Sequence, residues 1–77
     1  MKTIWITLPT IRIVEDFVSV CTDIDADLEV ASGEHTANGK SLLGLMTLNL
    51  SKPLELRIRT TQNKLPEILE VLRPYCI

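Results

Sequence analysis

Histidine occurs once in this chain, at position 35, and only three side chains are aromatic: Trp5, Phe17 and Tyr75. With so few rings, aliphatic packing must fill the core. Two cysteines, Cys21 and Cys76, are too few for a disulfide framework, and without clustered histidines they match no zinc site. Cys21 falls in helical register with Val14, Phe17 and Val18, which reads as packing, whereas the position of Cys76 leaves its role open. The longest apolar cluster, near Leu42 to Leu50, is interrupted by Thr47 and Asn49 and is too short to cross a bilayer. The apolar start is broken by Thr7, Pro9 and Arg12 with no small-residue cleavage site after it, so it does not read as a secretory signal. Basic excess is also missing. Eight Lys and Arg against ten Asp and Glu give a net charge of -2, no footprint for a phosphate backbone or an anionic lipid surface. These absences lead us to expect a soluble cytoplasmic protein with no nucleic-acid partner and no membrane insertion.

Catalytic constellations are equally scarce. There is no nucleophile with a base beside it, no carboxylate pair with a common location and no phosphate-cradling glycine loop. Asp23, Asp25 and Asp27 are closely spaced, but alternation points Asp25 and Asp27 to one strand face, where they read as a polar edge, and the glycine and distal glutamate of a calcium loop are not in place. The expectation is a non-enzyme without cofactor or metal. Seventy-seven residues make a single domain, 1–77, too short for a second core.

What is present is a clear succession of periodic segments. Ile4, Ile6 and Leu8 alternate with Trp5 and Thr7, predicting a strand over Lys2 to Leu8. Pro9-Thr10 follows as breaker and N-cap, and Val14, Phe17, Val18 and Cys21 recur at helical spacing up to the turn-prone Thr22-Asp23. Ala26, Leu28 and Val30 predict a second strand, Ser32-Gly33-Glu34 a hairpin turn, and His35 to Asn38 a third strand. Ser41 caps a short helix reaching about Leu50, stopped by the approach to Pro53. Leu54, Leu56 and Ile58 alternate with Glu55, Arg57 and Arg59, a strand with its charges toward water. Leu65, Ile68, Leu69 and Leu72 predict a last helix, with Asn63 as cap, Pro66 in the first turn and Pro74 at the end. Because every strand alternates, one antiparallel sheet with helices on a single face satisfies the order βαββαβα, an α+β fold.

The segment Lys40-Ser41-Leu42-Leu43-Gly44-Leu45-Met46-Thr47-Leu48 resembles the regulatory-serine motif of HPr, the histidine-containing phosphocarrier of the bacterial sugar phosphotransferase system. Ile24-Asp25-Ala26-Asp27 resembles that family's approach to its second strand, and no insertion or deletion is needed from there to Ser41. The resemblance implies an open-faced β-sandwich, a four-stranded antiparallel sheet with three helices on one face. It also puts Thr10 where the family has its phosphorylated histidine and Arg12 where it has the arginine that holds the phosphoryl group. The family's Gly-x-His-Ala-Arg-Pro becomes Leu8-Pro9-Thr10-Ile11-Arg12-Ile13, with the arginine kept and the histidine replaced. His35 lies too far along the chain for any small shift to bring it there. The resemblance further implies that Ser41 is a candidate for a dedicated kinase, whose product binds a transcriptional regulator.

On the short helix, a rotation of about 100° per residue sends Leu45 and Leu48 one way and Leu42, Leu43 and Met46 another. If Leu45 and Leu48 enter the core, the other three form an exposed patch beside Ser41, of the kind that marks a protein-binding surface. In the family the equivalent surface docks partner proteins. The expected function is an HPr-like module that binds partners through Arg12, Leu42, Leu43 and Met46, with Ser41 as regulatory site and no phosphohistidine of its own. Alternatives are an accessory phosphotransferase component working with another phosphocarrier, and an unrelated small-molecule-binding or assembly α+β domain.

Overall fold

Alternation decides which side of each strand is covered. The computed structural model describes Met1–Ile77 and contains β1 (Lys2–Ile6), α1 (Ile11–Thr22), β2 (Asp27–Ser32), β3 (His35–Asn38), α2 (Leu42–Leu45), β4 (Leu54–Arg59) and α3 (Leu65–Leu72). The strands form one sheet in the order β1-β4-β2-β3, and every neighbouring pair is antiparallel. Leu56 of β4 stands opposite Ile4 of β1 and Val30 of β2, so the apolar positions of three strands share one face. Leu54, Leu56 and Ile58 are fully buried there, each worth roughly 1.5–3 kcal/mol of burial.

All three helices cover this face. Val14, Phe17 and Cys21 of α1, Leu45 of α2, and Ile68 and Leu72 of α3 join the same core cluster as the strand residues. The other face is open and charged: Arg57 bridges Glu29 at 2.9 Å and Glu55 at 2.6 Å, and Arg59 reaches Asp27 at 3.4 Å. Partly exposed pairs of this kind contribute about 0–1 kcal/mol each. Between β2 and β3, Ser32 pairs with His35, leaving Gly33-Glu34 as a two-residue loop. Gly33 has φ +61°, the left-handed value a type II′ hairpin requires at its first central residue.

Four boundaries differ from the sequence expectation. β1 stops at Ile6, its last residue paired with β4, opposite Leu54; the chain end then bridges it, with Thr7 N–H donating to Tyr75 O at 2.9 Å and Ile77 N–H to Trp5 O at 3.2 Å, while Leu8 stays buried outside the strand. α2 is one turn, not a helix to Leu50. Its last bonds tighten, with Thr47 N–H on Gly44 O and Leu48 N–H on Leu45 O at 3.1 Å each, and the Thr47 hydroxyl also donates to Gly44 O at 2.7 Å. Asn63 does not cap α3. The N-cap is Lys64 without a side-chain bond, since Pro66 brings no N–H to be capped. Asp25 lies before β2 and so shares no strand face with Asp27; Lys64 holds it at 2.8 Å.

α3 ends at Leu72, and Pro74, unable to donate to Glu70 O, continues the chain as a 3-10 turn over Arg73–Tyr75. That turn sets the Tyr75 ring edge-on to Phe17 at 5.2 Å between centroids, tying α1 to the end of α3.

Candidate functional site

Two helix starts carry the residues singled out in the sequence. Thr10 is extended (φ -133°, ψ 157°), and its hydroxyl oxygen accepts the Ile13 N–H at 3.2 Å, capping α1. Arg12, in the first turn, is exposed and outside the five ion pairs of the protein. Ser41 is extended as well (φ -113°, ψ 108°), and its Oγ accepts the Gly44 N–H at 3.1 Å.

The approach to Ser41 is fixed by its neighbours. Asn38 receives the Lys40 N–H on Oδ1 at 2.8 Å and the Ser41 N–H on its carbonyl at 3.0 Å. Gly39 N–H donates to Leu28 O at 2.8 Å, and a Cβ on Gly39 would meet Leu28 Cβ at 3.2 Å and Cys21 Sγ at 3.7 Å. This stretch therefore passes beside the C-terminal end of α1, the end away from Thr10. Cys21 is a packing residue there. Burial pushes its thiol up to about 12 although the charge of Lys40 pulls the other way, so it is no nucleophile at neutral pH. Cys76 is exposed.

The single turn of α2 sorts its side chains by direction. Leu45 is fully buried and Leu48 follows it into the core, while Leu42, Leu43 and Met46 remain 37%, 83% and 41% exposed. Leu43 lies about 200° around the helix from Leu45, which is why it protrudes most. α1 and α2 pack against one another. His35 opens β3, exposed beside the hairpin and opposite Ser32.

Sequence reasoning passed over Gly44. A Cβ there would stand 3.1 Å from Ser41 Oγ and 3.3 Å from Ala37 Cβ, so the glycine lets α2 close on both its own cap and β3. The available signal was a glycine in mid-helix, three residues after a cap, where Ala would serve propensity better.

A family model described as "PTS HPr component phosphorylation site" matches residues 10–75. Among solved structures, the chain is similar to that of HPr-C-His from Thermoanaerobacter tengcongensis, with a TM-score of 0.79 and 21% identity over 96% of this chain and 89% of that one. At that identity the likeness is one of fold, and it agrees with the sheet order and the helix placement described above. No curated protein matches the sequence. The family match starts at the cap of α1 and runs through α2 to the turn after α3, and on that span the chain belongs to the HPr family of the phosphotransferase system.

Proposed function

We propose that this chain is a docking and regulatory member of its family that carries no phosphohistidine of its own. The observation that carries the reading is the outward set of Leu42, Leu43 and Met46 on a helix whose Leu45 is fully buried. Solvated aliphatic side chains gathered on one turn gain most when a partner covers them. In this reading Thr10, the cap of α1, takes the position of the family's phosphorylated histidine; the one histidine of the chain is on β3. A phosphoryl group on an imidazole nitrogen passes readily to a partner, because the P–N bond breaks with a neutral imidazole as leaving group after protonation. On a threonine hydroxyl it is a stable ester. Arg12, exposed and unpaired, remains free to hold a carboxylate or phosphate of a partner.

Ser41 is the regulatory position in this reading. A phosphate there adds a charge of about -1.5 to -2 beside Lys40, which makes no ion pair, at the first turn of α2. It also changes the character of the adjoining apolar patch from aliphatic to strongly anionic, the requirement for a switch between partners.

The test has two arms. With phosphoenolpyruvate and the general enzyme of the phosphotransferase system, the expected result is no acid-labile phosphate on this chain. Acid-labile label would overturn the loss of carrier activity. With an HPr kinase the expected result is acid-stable phosphate on Ser41, and failure of that reaction removes the regulatory half.

A further inference from the structure

We propose a second docking site on this protein, a groove between α1 and α3 that takes a segment of a partner protein with an aliphatic side chain flanked by lysine or arginine. It is separate from the face built on α2, and it stands whether or not the functional reading above holds. The groove is open to solvent and offers about 430 Å³. That is within the range of specific binding clefts. Its apolar part is Val20, Ile24, Ile68 and Val71, with Val71 left 45% exposed although it adjoins the core residues Ile24 and Ile68.

Charge selects the occupant. The polar lining is Asp23, Asp25, Lys64 and Glu67. Lys64 is held by Asp25 at 2.8 Å, and Lys40 lies within electrostatic reach of the same carboxylate. Asp23 and Glu67 belong to no ion pair, Glu67 lying in the first turn of α3, and the one cation of the lining, Lys64, is already held by Asp25, so the lining carries an excess of carboxylates. The helix ends do not decide the sign: the C-terminal end of α1 and the N-terminal end of α3 both border the groove, and their dipoles oppose. An apolar floor with a negative margin fits an aliphatic anchor beside a lysine or arginine and disfavours an acidic or purely apolar segment.

The probe is a blocked peptide, Lys-Leu-Ala-Lys-Leu, titrated into the full ¹⁵N-labelled chain, with Glu-Leu-Ala-Glu-Leu and hexylammonium as comparisons. Saturable shifts are expected at the amides of residues 20–25 and 64–71, reduced by salt and absent with the glutamate peptide. The double variant D23N/E67Q, changed only at exposed side chains outside the ion pairs, should keep the dispersed spectrum of the folded chain and weaken the lysine peptide by about tenfold or more. Three results would overturn the proposal: no shifts at millimolar peptide, shifts centred on α2 instead, or equal binding of the glutamate peptide. Hexylammonium matching the peptide at equal concentration would overturn the assignment to a protein segment.

Discussion

Ser41 Oγ accepts the Gly44 N–H at 3.1 Å, and a Cβ added at Gly44 would stand at that same 3.1 Å from the oxygen. The cap and the missing side chain are two sides of one contact. Replacing glycine by alanine in a helix normally gains roughly 0.5–1 kcal/mol. Here the new methyl crowds both the capping hydroxyl and Ala37 on β3, and overpacking of this kind costs about 1–3 kcal/mol. Gly44→Ala is therefore expected to destabilise by about 1 kcal/mol net, a fall in Tm of roughly 4–8 °C for a domain of this size. Thermal unfolding by circular dichroism checks it, and a rise in Tm would mean that the neighbours yield at no cost.

Thr10 makes a simpler claim. Its hydroxyl satisfies one N–H of α1, so Thr10→Ala is expected to cost about 1 kcal/mol, while Thr10→Ser recovers most of it. Urea unfolding of the two variants measures the difference. Equal midpoints for alanine and serine would show that the hydroxyl contributes nothing as a cap.

Both caps were legible in the sequence because capping is local: a small hydroxyl residue, a breaker before it and an apolar period after it. β4 was legible for a similar reason, since Leu54, Leu56 and Ile58 leave alternation no other face to bury. Local reading misplaces one cap, at Asn63 where Lys64 precedes α3, and its other failures fall where distant residues decide. The alternation predicts that β1 reaches Leu8, but its pairing with β4 ends at Ile6 opposite Leu54, and Thr7 bonds instead to Tyr75, about seventy residues away. α2 was expected to run to Leu50, because Leu48 keeps the helical period; in the structure Leu48 is buried from a tightened turn. The same limit applies to the groove between α1 and α3, which joins residues 20–25 to residues 64–71 and has no local signature.

The direction of each α2 side chain separates stability from docking. Leu43 and Met46 are exposed, so Leu43→Glu and Met46→Glu should stay within about ±0.5 kcal/mol of the parent in urea unfolding. Leu45 is fully buried, and Leu45→Glu is expected to unfold the protein because no partner for a buried carboxylate is at hand. If α2 is the docking surface, Met46→Glu lowers affinity for the general phosphotransferase enzyme, measured by calorimetry, by about tenfold or more. Unchanged affinity in a folded Met46→Glu would move the docking surface elsewhere.

Cys21 gives the protein an alkaline limit. Burial pushes its thiol up from 9.0 to about 12, opposed in part by Lys40. Between these values the unfolded chain releases a proton that the folded chain keeps. Stability is therefore unaffected by this group below pH 9.0 and falls as pH rises from there toward 12, with a slope of up to about 1.4 kcal/mol per pH unit. Urea midpoints of the parent and of Cys21→Ala, compared at pH 8 and at several values above 9.0, isolate the effect. The alanine variant starts lower because it opens a cavity, but its stability should decline less steeply. Thiol reagents offer a second readout at neutral pH: Cys76, exposed although its thiol donates to Leu72 O at 3.5 Å, reacts in the folded protein, and Cys21 reacts only on unfolding. Parallel pH profiles for the two proteins, or rapid titration of both thiols in the folded state, would show that the site around Gly39 and Lys40 admits water.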